Sequence, residues 1–325
     1  MKKQYFSTFV HGLEKPVEAM LHKEGGVAVE RIVPGAAIYR SVREPSLPFV
    51  HQTFSVLFQM KPVADVNDAI RRLLATGSWL DRFPYEETQG KRFRVVTAVG
   101  DQLVAANMRY VDMLEKAICE NTGMKTYRER PDVELWVLCR PEAAYFLWRI
   151  GKRSATRQEG QLRSDVCAVV AFLSRCSGGS AAILGGTSGT LVQAMKSCGA
   201  RTLTCVCPDR ASARLIGDKV RGVRVIEGSS GYTDLADRSQ DAVTLYLPVK
   251  AERYEESELR NALYEARRIL REDGVLIIVA ALHHAESTLR KTQGVRALAR
   301  YDLTLSGQRS AIWVMQPKEE DAFEA

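Results

Sequence analysis

The chain has 325 residues, more than one ordinary domain of roughly 100–200 residues holds, so two or three packed units are expected. Apolar residues make up 46% and charged residues 26%, which excludes a disordered chain; the longest clean apolar run, Val275 to Leu282, falls far short of the ~20 residues of a spanning helix, so no membrane segment is expected. Lys and Arg number 46 against 39 Asp and Glu, a net charge of +7, a mild excess that permits a polyanionic partner without demonstrating one.

The first segment reads as strand Tyr5–Val10, helix Pro16–Lys23, then strands Val27–Val33 and Ala36–Val42 around the turn Pro34-Gly35. Strand Thr53–Met60 and helix Val66–Leu74 follow, the latter with Ile70, Leu73 and Leu74 on one side. This pattern resembles a ferredoxin-like α+β unit. A second α+β unit opens with strand Arg92–Ala98. Residues Asp101 to Thr122 are expected to form one long helix, because Val104, Met108, Val111, Leu114 and Ile118 recur at spacings of three and four and Gly123 supplies a stop. Strands Glu134–Arg140 and Ala144–Ile150 flank Pro141-Glu142.

From Gln161 the texture becomes regular alternation. Helix Gln161–Arg175, strand Ala181–Leu184, helix Leu191–Cys198, strand Thr202–Val206, helix Arg210–Val220 and strand Val223–Ile226 come first. Strand Asp241–Leu247, helix Tyr254–Arg271 ending at Gly274, and strand Val275–Ala280 follow. His283-His284 are placed in a loop after it. Alternation of this kind means a parallel sheet covered on both faces. Strands Tyr301–Leu305 and Ala311–Val314, joined by Ser306-Gly307-Gln308, finish it with an antiparallel hairpin, unlike the usual dinucleotide-binding sheet. The seven cysteines are scattered, without a Cys-x-x-Cys pair. They are expected to be reduced and largely buried, with no metal site. Two lysines open the chain with no apolar stretch behind them, so no signal peptide is expected and the cytoplasm is the default location.

Three segments carry a resemblance. Phe93-Arg94-Val95, the helix after it and Arg130-Pro131-Asp132-Val133-Glu134-Leu135-Trp136 look like a THUMP domain; Gly160-Gln161-Leu162-Arg163-Ser164 is similar to a Gly-x-Leu-Arg-Pro segment; and the strand–helix rhythm from Gln161 looks like a class I methyltransferase. Together they resemble the THUMP-domain RNA methyltransferases that methylate guanine N2. The resemblance implies an α/β protein, a class I methyltransferase-like, mostly parallel sheet with a C-terminal antiparallel hairpin, preceded by α+β ferredoxin-like and THUMP domains. The implied divisions are 1–62 (ferredoxin-like), 63–150 (THUMP) and 151–325 (methyltransferase). The implied cofactor is S-adenosylmethionine and the implied partner tRNA or another structured RNA.

Carried onto this chain, the cofactor residues are Leu162, Arg163, Gly185, Gly186, Ser188, Gly189, Thr190 and Asp209. A glycine-rich strand-to-helix turn lets a ligand approach backbone N–H groups at a helix N-terminus; a tight turn with no ligand is the alternative. The family's Asp at the head of this turn is Ile183 here, and its first glycine is Thr187. Asp209 either holds a ribose or caps the following helix. Glu227 and Ser229 stand where an adenine contact would lie, or in a solvated loop. At the fourth strand the family reads Asn/Asp-Pro-Pro-aromatic, the acceptor and a backbone carbonyl orienting the target amine. This chain reads Tyr246-Leu247-Pro248-Val249. Only Pro248 matches, and Tyr246 cannot reproduce the acceptor pair. For RNA, the residues are Arg94, Lys125, Arg128, Arg149, Lys152 and Arg153, either phosphate contacts or a basic surface balanced by acids such as Glu129 and Glu134. The expected activity is S-adenosylmethionine-dependent guanine-N2 methylation of RNA. The alternative is a non-catalytic RNA-binding protein with a relic methyltransferase domain.

Overall fold

The structure is a computed structural model that describes residues 2–88, 90–151, 161–187, 189–247, 256–292 and 294–318. Two sheets organise it. The first half contributes β1 (Lys3–Thr8), α1 (Glu14–Lys23), β2 (Val27–Val33), β3 (Ala36–Ser41), β4 (Gln52–Met60), α2 (Val66–Thr76), β5 (Arg92–Val99), β6 (Gln102–Leu103), α3 (Met108–Thr122), β7 (Lys125–Thr126), β8 (Val133–Cys139) and β9 (Ala144–Ile150). These strands form one nine-stranded sheet, β2-β3-β1-β4-β9-β8-β5-β6, with β7 beside β5. The antiparallel pairing of β4 with β9 joins the first unit to the second without a break.

Residues 101–106 are not helical, which corrects the long helix expected from Asp101. Gly100 turns the chain back at φ +56°, and Val104 donates its N–H to the Thr97 carbonyl, so this stretch runs beside β5. Val104 sits in phase with Met108 only by chance of spacing. Asn107 starts α3 by accepting the Arg109 N–H at 3.0 Å, and Gly123, at φ +70°, ends it. Helices α2 and α3 cover one face of the sheet, where Trp79, Phe93, Leu114, Ile118, Leu135 and Phe146 are fully buried.

The second half contributes α4 (Ser164–Leu173), β10 (Ser180–Leu184), α5 (Gly189–Ser197), β11 (Thr202–Cys207), α6 (Arg210–Lys219), β12 (Arg224–Glu227) and β13 (Gln240–Tyr246). It ends with α7 (Glu256–Ile269), β14 (Leu270–Ala281), α8 (Leu282–Lys291), β15 (Val295–Leu305) and β16 (Gln308–Pro317). The order is β12-β11-β10-β13-β14-β16-β15, parallel up to β14. β16 then inserts antiparallel between β14 and β15, as the hairpin reading expects. Two local expectations fail. α7 stops at Ile269, and Gly274 lies inside β14 rather than at the helix end. His283 and His284 lie on α8, not in a loop; Ala285 and Leu289 of the same helix pack into the core.

Alternation along β10 shows how both faces are buried. Ala181 and Ile183 join the core under α4, α5 and α6; Ala182 and Leu184 join the core under α7. The first of these cores does not stop at the sheet: Phe9, Leu13, Val17, Leu21, Tyr39 and Phe49 from the chain start belong to it, with Leu303 and Leu305 from the hairpin. Gly12 marks the closest approach, since a Cβ there would collide with the Asp302 carbonyl. Only glycine, here at φ +97°, lets the two halves meet this closely. All seven cysteines are unbridged, five of them buried. Among the described residues, no helix is long and apolar enough to cross a membrane.

Candidate functional site

In a parallel sheet ligands gather at the carboxyl ends of the central strands, where the order reverses. Here that point lies between β10 and β13. Its first element is the turn Gly185-Gly186-Thr187 leading to α5. The Gly185 and Gly186 N–H groups both donate to the Val206 carbonyl, at 3.1 and 2.9 Å. A Cβ on Gly186 would collide with Cys205 Sγ and lie 3.6 Å from Ile216 Cδ1, and a Cβ on Gly185 would lie 2.5 Å from the Tyr246 carbonyl. The space that glycine leaves open is therefore filled by the protein's own side chains and backbone. Thr190 follows on α5; with Gly189 it borders a mostly apolar cavity of about 770 Å³ that also touches Phe49, Ala168 and Phe172. Ser188 lies outside the described residues.

The strand ends around this turn carry almost no acid. Ile183 and Cys207 are fully buried, and Tyr246 is 4% exposed. Cys205 and Cys207 lie 3.9 Å apart on one face of β11; donating a hydrogen bond to Cys207, together with burial, raises the Cys205 thiol well above its ordinary pKa. Asp209 is the N-cap of α6. Its two oxygens accept from the Ser212 N–H at 2.8 Å and the Ser212 hydroxyl at 2.9 Å, and these bonds hold its pKa below the usual carboxylate range. Glu227 ends β12 in solvent. Pro248 and Val249 lie outside the described residues.

Leu162 is buried, and Arg163 just before α4 forms a bidentate pair with Asp165, at 3.0 and 2.5 Å. Arg163 lines the cleft between the two halves, which does not include the glycine turn, and Leu162 packs in the core that also takes Ile183 and Cys205.

The cations expected to meet RNA fall into two groups. Arg94 on β5 and Arg149 on β9 point from the two sides of β8 at one carboxylate, Glu134, with Arg149 at 2.6 Å. Burial would raise the Glu134 pKa, but the Arg149 and Arg94 hydrogen bonds outweigh it and the value is lowered. Arg128 reaches Glu115 at 3.0 Å and Asp112 at 3.2 Å. Lys125, by contrast, is exposed on β7 and has no ion-pair partner among the described residues. Lys152 and Arg153 lie outside the described residues. Sequence reasoning named Glu134 only as a nearby acid; the strand register Arg94↔Glu134 makes it the hub of the row. It missed Trp136 and Arg309, which reach the same face from distant segments. The signal for Trp136 was its alternation with Glu134 and Leu138 along β8.

No protein-family profile and no curated protein matches the sequence. Solved structures do. TrmN from Thermus thermophilus superposes with a TM-score of 0.77 at 15% identity, over 97% of this chain and 99% of that one. The chain has the class I methyltransferase-like fold. A possible methylase from Clostridium difficile 630 superposes on it with a TM-score of 0.73 at 12% identity, over 98% and 99% of the two chains. SMU.472, a candidate methyltransferase complexed with SAH, superposes with a TM-score of 0.70 at 10% identity, again over 98% and 99%. The methyltransferase-like sheet of this chain thus shares its architecture with one that holds SAH. Its own turn differs in chemistry: the two glycine N–H groups are engaged by Val206, and Ile183, Cys207 and Tyr246 supply no carboxylate.

Proposed function

We propose that the chain is a THUMP-type RNA-binding protein whose methyltransferase-like domain no longer holds S-adenosylmethionine. The observation that carries this reading is the filled glycine turn, with Cys205 Sγ against Gly186 and both glycine N–H groups spent on Val206. A sulfonium cofactor needs nearby negative charge and acceptors for its ribose. The candidates here are Asp209, already satisfied by Ser212, and the outlying Glu227. Each hydrogen bond lost to a charged group is worth about 1.5–3 kcal/mol, so affinity falls roughly ten- to a hundredfold per missing acid. The residues present do not fit the cofactor.

RNA binding rests on the cations of the first half. We propose divisions at 1–62, 63–150 and 151–325, with the THUMP-type unit in the middle and Lys125, Lys152 and Arg153 as phosphate contacts. The partner is tRNA or another structured RNA. Methylation of a guanine exocyclic amine is the second reading, supported by the likeness to a fold that holds SAH. Titrating structured RNA across a salt series tests the first reading. Affinity should fall steeply with salt, and removing the charge at Lys125, Lys152 or Arg153 should flatten the slope by roughly one unit per lost contact. Absence of binding at low salt overturns it, and transfer of a labelled methyl group from S-adenosylmethionine to RNA establishes the second.

A further inference from the structure

A cleft of about 1140 Å³ lies between the two sheets. It is larger than the roughly 300–1,000 Å³ that encloses a drug-sized ligand. Its floor is the face of the first sheet that α2 and α3 leave uncovered, with Phe54 from β4, Arg94 and Val96 from β5, Trp136 from β8 and Arg149 from β9. The second half closes it with Arg163, with Asp302 to Thr304 of β15, and with Arg309 and Ser310 of β16.

Its charge is unbalanced toward the positive. Four guanidiniums line it: Arg94, Arg149, Arg163 and Arg309. Glu134 answers Arg94 and Arg149 together, and Asp165 answers Arg163. Arg309 has no ion-pair partner among the described residues. The cleft's own carboxylates do not compensate, because Asp302 pairs with Arg300 at 2.7 Å and Asp101 with Arg140 at 3.8 Å, and neither arginine lines the cleft. Burial first, then Arg163, lower the His51 pKa; Asp165 opposes them, and Arg149 adds the smallest lowering pull.

Two polar atoms at the cleft are shielded from solvent and lack any partner, Arg94 Nε and Thr8 Oγ1. A buried donor left unmet is uncommon and calls for an acceptor. Beside these groups stands a flat apolar surface. Trp136 packs edge-on against Phe54 at 5.5 Å between ring centres and is itself only half-buried.

Guanidiniums select phosphate, and an indole face selects a ring. We propose that this cleft binds a nucleoside phosphate unit, with Arg94, Arg149 and Arg309 on the phosphate side and Trp136 on the base side. The site needs both halves of the chain, since Arg309 and Trp136 come from different sheets. The choice of an RNA strand over a free nucleotide rests on the RNA reading above; the cleft chemistry is the same for both.

The test uses the full chain, a labelled single-stranded five-nucleotide RNA read by anisotropy, and adenosine monophosphate read by quenching of tryptophan fluorescence. Arg309→Gln lies on an exposed strand position and should weaken strand binding about tenfold. Trp136→Ala should weaken it about five- to a hundredfold, and Trp136→Phe should recover part of the loss; melting temperatures of the variants separate lost stacking from lost folding. Displacement of the strand by adenosine monophosphate identifies a mononucleotide pocket, and binding without displacement identifies a site for continuous strand; both support the proposal. Strand affinity unchanged in both variants overturns it. If structured RNA still binds those variants, the RNA reading survives that failure. If adenosine monophosphate binds and no RNA does, the cleft stands and the RNA reading falls.

Discussion

The two sheets treat charge in opposite ways. On the first, Arg94, Glu134 and Arg149 form a cross-strand row facing the cleft, and one carboxylate is shared by two guanidiniums. On the second, the strand ends at which a nucleotide-type ligand would sit present Ile183, Cys207 and Tyr246, all buried, around a turn closed by Cys205 and Val206. Maintaining buried ions costs several kcal/mol each in desolvation, so a row of them persists where it contributes structure or binding. Apolar residues at the strand ends carry no such cost and pack as core. This row of paired charges thus lies in the first half and faces the seam, whereas the strand ends of the second half pack as core.

Substitutions on both sheets press on that contrast. The largest effect is expected at Glu134. Glu134→Ala leaves Arg149, whose side chain is 8% exposed, beside Arg94 with no counter-charge. A loss of about 3–5 kcal/mol should appear in urea unfolding; a loss below 1 kcal/mol would mean that the row is only a surface network. Its pH dependence has a fixed sign. The folded pKa of Glu134 lies below its ordinary value, so its contribution is complete above that ordinary value and disappears as pH falls through the folded pKa. Melting temperature should therefore drop on acidification in the native chain, and this component should be missing in Glu134→Gln.

On the second sheet, Ile183→Asp restores an acid at the head of the turn but buries it fully among apolar neighbours. We expect a loss of about 3 kcal/mol or more in stability, as for other uncompensated buried charges. Full stability, or a gain in S-adenosylmethionine affinity, would show that the turn can still open. Gly186→Ala meets Cys205 Sγ and should cost about 1–3 kcal/mol through overpacking. Adding Cys205→Ala should recover part of that loss, and a double-mutant cycle with no coupling would contradict the filled turn. The smallest effect belongs to Asp209→Ala, which removes the α6 cap and should cost about 1 kcal/mol, with Asp209→Asn close to neutral.

Much of the second sheet was legible in the sequence because each parallel strand is a short apolar run between turn signals, and the hairpin announces itself through Ser306-Gly307. Helix α8 was not, because a histidine pair after a buried strand reads as loop while its anchors Ala285 and Leu289 are small in number. Residues 101–106 misled because apolar spacing cannot report a reversal at Gly100. The glycine turn was visible as a motif, but its filling depends on the parallel register Ile183↔Cys205, which brings together residues twenty-two positions apart. The cleft was hidden for the same reason. Arg94, Trp136 and Arg309 share no local pattern, and only the packing of the two sheets makes them neighbours.

We propose above that the methyltransferase-like domain does not hold S-adenosylmethionine. Isothermal titration of the full chain with S-adenosylmethionine tests it most directly. No saturable heat is expected at micromolar ligand, and at most weak binding as the concentration approaches the millimolar range. Stoichiometric binding with a micromolar dissociation constant would contradict it, and would give Asp209 and the glycine turn a ligand despite the bonds that now occupy them.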